Sequence, residues 1–372
     1  MDSTTSVYDH ATFMFPGSDN VTKMALHEIL LGLEQIARPV VKLQVYLAII
    51  GICVTTFHLI ILTRKSMMTS SIISIMIGVA LTDLVAMVAT IQTSEWMFDS
   101  EGTDCSPPAS HFATKLFWVF VTIRDMVRRS STWLGVLMAF IRFFVIKFGA
   151  RPRFQNVAEV KFGFQAVAGS YLASTLISTV YFFRYDMVIE GTWRPQKYCT
   201  GIRLDTVLPV PVQKVSALFT MYNGVLIKVY MLVNGTISKI IPCLLLPILT
   251  FLLILELRKA ETLRKTSNCN KRNNTDKTTG LVILMAVSFF IVELPIGIST
   301  VFQVAYTDWG YLYLATYVNH FCNAIFVVNA SGHCVICFLM SSQYRSVVLK
   351  FFHIVLTPVP KQKASTVSVQ MT

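Results

Sequence analysis

Charge is scarce in this chain: only 14% of its 372 residues are Asp, Glu, Lys or Arg, where a soluble chain carries about a quarter. That deficit excludes a disordered chain and argues against an ordinary cytosolic enzyme, since both need charged surface in water. Metal-site spacing is missing too. The eight Cys supply no paired zinc pattern, and the closest cluster, His333 with Cys334 and Cys337, sits inside an apolar run and reads as lipid-embedded packing. There are no paired catalytic acids, no HExxH and no supported Ser–His dyad, so an intramembrane enzyme has no chemistry to work with. The internal repeat typical of transporters is absent as well. What is abundant is apolar: 54% of the residues are hydrophobic, 26 of them Phe, and mean hydropathy is +0.59. The solvent of such a chain is mostly lipid. Its formal net charge of +12 would suit a nucleic-acid partner, but the basic residues cluster between apolar stretches, which is a membrane-topology pattern.

A helix needs about 20 mostly apolar residues to cross a bilayer core. Seven stretches meet that need, at 43–62, 72–91, 116–144, 163–183, 237–257, 279–305 and 312–339. The fourth is rich in Gly, Ser, Ala and Thr, a composition suited to close helix packing in lipid. Lys and Arg in short loops set the orientation. Arg64 and Lys65 follow the first stretch, Lys147, Arg151, Arg153 and Lys161 join the third to the fourth, and Arg258, Lys259, Arg264, Lys265, Lys271, Arg272 and Lys277 join the fifth to the sixth. The opposite loops carry Glu95, Asp99, Glu101, Asp104 and Asp308. The long connection before the fifth stretch is basic, but long segments translocate largely regardless of charge. The expected architecture is therefore an all-α, seven-helix membrane bundle with its N-terminus outside and its C-terminus inside.

Four regions follow: an outer segment at 1–42, with an amphipathic lead-in helix at 25–42; the bundle at 43–340; a short amphipathic helix along the membrane at 341–356; and an inner tail at 357–372. The first stretch is expected to serve as its own membrane signal. Asn20-Val21-Thr22 and Asn234-Gly235-Thr236 are glycosylation sequons on the expected outer side. Ser365, Thr366, Ser368 and Thr372 offer phosphorylation sites in the tail.

Motifs stand in a fixed order on these spans. Arg64 to Ser71 form a short first inner loop. Asp83 sits mid-span in Leu81-Thr82-Asp83-Leu84, and Arg142 closes the third span in Ile141-Arg142-Phe143-Phe144. Pro242 and Pro247 lie in the fifth; Phe289, Glu293 and Pro295 in the sixth; Asn329-Ala330-Ser331 in the seventh; Gln343-Tyr344-Arg345 follows. From about Gly51 to Phe352 the chain resembles the rhodopsin-like G-protein-coupled receptors. More narrowly, it is similar to the nematode serpentine receptors of class W, related to FMRFamide-type neuropeptide receptors. Arg64 to Ser71, Ser131 to Arg142, Glu256 to Ala260 and Met340 to Arg345 carry that closer likeness. It departs from the wider pattern at four places: Thr55 stands for an Asn, Ile141 for an acid, Glu293 for an aromatic toggle, and His333-Cys334-Val335-Ile336-Cys337 for Asn-Pro-x-x-Tyr.

The resemblance implies a receptor for an extracellular peptide or small-molecule (chemosensory) ligand, coupled to a heterotrimeric G protein, in the plasma membrane, with no cofactor. Arg142 would face the G protein. Asp83 with Ser131 would form a sodium site or a polar packing contact. Cys105 and Cys199, the two Cys of the outer face, would form the disulfide between the third span and the loop. Pro242 and Pro295 would bend their helices. Ionisable groups within spans are functional candidates in their own right. Arg124 and Arg128 share one face of the third span, as do Asp125 and Arg129. At about 1.5 Å per residue, Arg128 lies roughly 21 Å from Arg142, and Glu293 roughly 24 Å from Lys277. Glu293 can thus pair with Arg128, or with Arg124 or Arg129. These five either brace the bundle or floor a ligand cavity that meets an acidic or amidated peptide end. The competing reading is a transporter or proton-conducting protein using Asp83, Glu293 and the arginines.

Overall fold

The computed structural model describes residues 3–99, 105–148, 151–199, 203–266, 275–306 and 308–356. Glu101, Asp104, Lys271, Arg272, the tail at 357–372 and the Glu95 and Trp96 side chains lie outside that description.

Helix α1 (Ser3–Met14) leads into α2 (Asn20–Leu62), a single helix of 43 residues. The amphipathic lead-in and the first span are therefore continuous. Asp19 caps α2, its carboxylate accepting from the Thr22 N–H at 3.2 Å, and interaction with the Thr22 side chain first, then with its backbone N–H, holds the carboxyl below its ordinary range. Helices α3 (Ser71–Asp99), α4 (His111–Phe148) and α5 (Val160–Phe182) are the second, third and fourth spans. In α5 the buried residues are Gly163, Val167, Ser174 and Ser178, one narrow stripe at helical spacing. Small residues there let α5 lie close to α3 and α4.

The connection after α5 is ordered. Strands β1 (Tyr185–Trp193) and β2 (Leu208–Val215) form an antiparallel hairpin, Tyr185 opposite Val215, with a bulge between Ile189 and Thr192. The turn between them carries Cys199, which is bonded to Cys105 before α4. His111 Nε2 lies 3.2 Å from the Met187 carbonyl, and the Trp118 indole N–H donates to the Phe182 carbonyl at 2.9 Å. Together these tie the hairpin to the start of the third span.

The fifth span differs most from expectation. It does not begin at 237. Helix α6 (Ala217–Gly235) precedes it, then a π-helical turn at Thr236–Ile240, then α7 (Ile241–Thr266). The helix is broken at Tyr222, Asn223 and Gly224, all at positive φ, and the chain runs helical from there. Two Asn-Gly pairs look alike in sequence, and only the first is a turn. Gly235, the second, is helical because α8 (Thr275–Ala305) packs over it: a Cβ at Gly235 would meet Val301 Cγ2 at 2.8 Å and one at Gly297 would meet Lys239 Cβ at 2.9 Å. Pro242 follows the π turn, in which the Ile241 N–H reaches back to the Thr236 carbonyl; a widened turn absorbs the missing proline donor. Pro295 lies inside α8.

Helix α9 (Trp309–Met340) is the seventh span, and α10 (Ser342–Leu356) follows. Ser341 ends one and caps the other, its Oγ accepting from the Tyr344 N–H at 3.1 Å. A central apolar layer of Ala48, Met87, Val127, Val292, Ile296, Phe326 and Val327 joins α2, α3, α4, α8 and α9. At one end Phe15 is buried edge-on against Tyr311; at the other, His58 Nδ1 lies 2.9 Å from the Tyr344 hydroxyl.

Candidate functional site

The Arg-Arg pair of α4 splits its two side chains around the helix, because adjacent helical residues never share a face. Arg128 turns towards α8 and α9, Arg129 towards α5 and α6. Arg128 donates through Nε to Glu293 Oε1 at 2.7 Å and through Nη1 to Asn323 Oδ1, with its guanidinium 5.2 Å from the centre of the Phe326 ring. The second Glu293 oxygen lies 3.1 Å from Lys239 Nζ. Glu293 is 1% exposed and Lys239 3%. One carboxylate thus serves two cations and links the third, fifth and sixth spans, with Asn323 adding the seventh. The π turn presents Lys239 to α8, and the close approach at Gly235 and Gly297 brings it within reach.

Arg129 is saturated. It donates to Ser238 Oγ at 2.9 Å, the Ser174 carbonyl at 3.0 Å, Ser178 Oγ at 2.9 Å and Asn234 Oδ1 at 2.9 Å, and its Nη2 also meets Asp125. Its place is that of a brace. Asn234, read from sequence as a glycan acceptor, is buried in α6 with its Oδ1 accepting from Arg129. Asn20 is exposed at the first residue of α2.

Above the ion-pair cluster, towards the disulfide, lies a cavity of about 190 Å³. Its lining includes Arg124, Asp125, Arg128, Arg184, Lys239, Tyr181, Tyr230, Gln303, Asn319 and Asn323. Arg124 donates to Thr93 Oγ1 at 2.6 Å. Arg184 lies over the Tyr185 ring, 4.8 Å from its centre. Of the expected ligand-site residues, Arg124, Asp125 and Arg128 line this cavity, Glu293 holds two of the lining cations, and Arg129 anchors Asp125 from behind.

Towards the other end, Ser131 Oγ donates to Asp83 Oδ1 at 3.1 Å, and Asp83 Oδ2 lies 3.0 Å from His333 Nδ1. The departure from the usual seventh-span motif therefore supplies the acid's partner. Asp83, Ser131, Asn329 and His333 share a smaller cavity of about 70 Å³ with Arg142. Among the described residues no carboxylate lies within ion-pair distance of Arg142. The preceding Ile141 is 1% exposed and packs with Ile75, Val79 and Val167, so an apolar contact stands where an acid was expected.

Lys239 and Asn323 are the site residues that sequence reasoning missed, and Asn234 and His333 were noted for other reasons than the contacts they make. A lone Lys within an apolar run was the available signal for the first. Neither Asn carried a signal for its Arg contact, since that pairing depends on the register of α6 and α9.

Helices crossing a bilayer, a polar cavity at one end and a lone Arg at the other are the anatomy of a membrane receptor. Among the described residues five helices are long and apolar enough to span, counting α6 and α7 as one, with a shorter apolar helix at Phe289–Ala305 within α8. The family model for serpentine-type seven-transmembrane G-protein-coupled chemoreceptors, Srw, matches residues 42–355, and the chain belongs to that family. It is also 20% identical over 380 aligned positions to the G-protein-coupled receptor dmsr-1 of Caenorhabditis elegans, covering 90% of this chain and 72% of that protein. The protein is thus a multi-pass plasma-membrane receptor of the G-protein-coupled class.

Proposed function

We propose that this receptor takes a neuropeptide-like or chemosensory ligand into the 190 Å³ cavity and passes the signal to a heterotrimeric G protein at the Arg142 end. The disulfide end faces outside and the basic loops face the cytoplasm. One observation carries the reading: a single buried carboxylate, Glu293, holds Arg128 of α4 and Lys239 of the π turn directly beneath the cavity. A ligand touching Arg128 or Lys239 competes with Glu293 for the same donors. Any such contact changes how tightly the sixth span is held to the third and fifth. A ligand shifts a population only by its differential affinity for two states, and this cluster is where that difference is generated. The sixth span, bent at Pro295, then opens the inner cavity around Arg142.

A panel of short peptides and small organic compounds tests the reading, scored by guanine-nucleotide exchange on a promiscuous Gα in membranes containing the receptor. Ligand-dependent exchange supports it. Ligand-dependent tracer flux through receptor vesicles, with no exchange, replaces it with the transporter reading.

A further inference from the structure

We infer that the ligand presents a carboxylate to the cavity between α4, α6 and α8, so that the receptor selects acids over the corresponding neutral amides. This rests on the receptor reading above and names the ligand chemistry of its cavity. Charge carries the argument. Arg124, Arg128, Arg184 and Lys239 line the cavity with a single acid, Asp125. Asp125 is bonded to Arg129, and Glu293 is shared by Arg128 and Lys239. Among the described residues, counting those of the lining and their ion-pair partners, five cations meet two acids, and the excess is positive.

Two of the guanidinium donors also lack an acceptor. Arg128 is 7% exposed, and its Nη2 has no hydrogen-bond partner. The Arg184 Nε has none either. Arg124 donates to a neutral hydroxyl, Thr93. Guanidiniums bind carboxylates through paired N–H groups, a geometry that a neutral amide oxygen meets with half the acceptors and none of the charge. Arg124 and Arg184 have no described carboxylate within ion-pair distance, and cations without counter-charge are costly in a bundle, so an incoming anion gains most from these two. A cationic ligand group would meet repulsion from all of them, with Asp125 already committed.

The carboxylate can belong to a small organic acid or to the end of a peptide. The test uses the full-length receptor in lipid nanodiscs and reads thermal stabilisation by phenylacetate against phenylacetamide, and by the tripeptide Gly-Gly-Phe as free acid against its amide. We expect each acid to half-saturate at about tenfold lower concentration than its amide, the loss typical of a charged acceptor. The acid that binds more tightly identifies the source. R184Q, at a partly exposed position, and R124Q should each erase most of the acid's advantage, weakening the acids far more than the amides. Amides that bind as well as acids overturn the inference, as does an acid preference that survives both variants, or the binding of neither acid at millimolar concentration. Failure of the receptor reading looks different. Acid binding that depends on Arg124 and Arg184, without nucleotide exchange from any ligand, leaves the anion site standing and removes the signalling. Exchange driven by neutral ligands alone, with no acid preference, does the reverse.

Discussion

At the scale of single residues, the decisive feature is that Glu293 has two cationic partners rather than one. The sequence pointed to a pair with Arg128, and Arg128 Nε does meet Glu293 Oε1 at 2.7 Å. Lys239 stands on the other oxygen at 3.1 Å. Removing the carboxylate therefore orphans two buried cations, while removing either cation leaves a complete pair. Breaking a buried pair costs about 3–5 kcal/mol, so Glu293→Gln is expected to be the most damaging substitution and Lys239→Gln the mildest. Arg128→Gln should fall between, because it also gives up Asn323 and the Phe326 face. Surface level and thermal midpoint of the three variants check the order; a Lys239→Gln variant as damaged as Glu293→Gln would show that the lysine carries its own burden. A second pair obeys the same logic. His333→Leu leaves Asp83, 1% exposed, without its imidazole, whereas Asp83→Asn leaves a neutral amide. The double variant should therefore be more stable than His333→Leu alone, and simple additivity in a double-mutant cycle would deny the contact.

At the scale of elements, the span pattern was legible because apolar runs of bilayer length report themselves, and the fifth span was misread for an equally physical reason. Asn223-Gly224 and Asn234-Gly235 carry the same turn chemistry, and only tertiary packing tells them apart: α8 crosses so near Gly235 that a helix with no side chain at that point is required. The ordered β-hairpin was hidden too, since proline-bearing β2 (Leu208–Val215) gives little strand signal on its own. Gly297→Ala is expected to destabilise the bundle by about 1–3 kcal/mol, the cost of overpacking, and to push Lys239 away from Glu293. A melting curve of the purified receptor measures the first effect. An unchanged midpoint would mean that α8 and the π turn have room to spare. For the hairpin, the Cys105–Cys199 bond closes a separation of 94 residues. Replacing either Cys by Ala should lower surface expression and ligand response alike, and replacing both should add little, because one bond cannot be lost twice.

At the scale of the whole molecule, polar groups are segregated by depth. The cavity and its ion-pair cluster occupy the disulfide end, the Asp83–His333 contact lies further along, and Arg142 stands at the far end beside a small cavity lined by Met138, Ala139, Leu246 and Phe289. An apolar layer with Val127, Val292 and Phe326 is interleaved between the first and the rest. Packed layers of this kind transmit strain because they do not deform continuously. Under the function proposed here, coupling from cavity to Arg142 would run through movement of α8 relative to α4, the two helices that Glu293 and Arg128 join. The motif around Arg142 was readable in sequence, but its freedom from an ion pair was only half readable: Ile141 showed that the neighbouring acid was absent, and the fold shows that no other described carboxylate replaces it. An Arg with no described carboxylate partner would be available to a docking protein without first being released. Arg142→Ala should accordingly leave folding and ligand binding intact, since no ion pair is broken, while reducing nucleotide exchange by tenfold or more, about 1.4 kcal/mol or greater of lost interaction. The measurement is exchange on Gα at matched surface density, alongside ligand affinity in the absence of G protein. Exchange that stays at the parental level would remove Arg142 from the coupling surface. A fall in ligand affinity of the same size would instead place the residue within the path that connects the two ends.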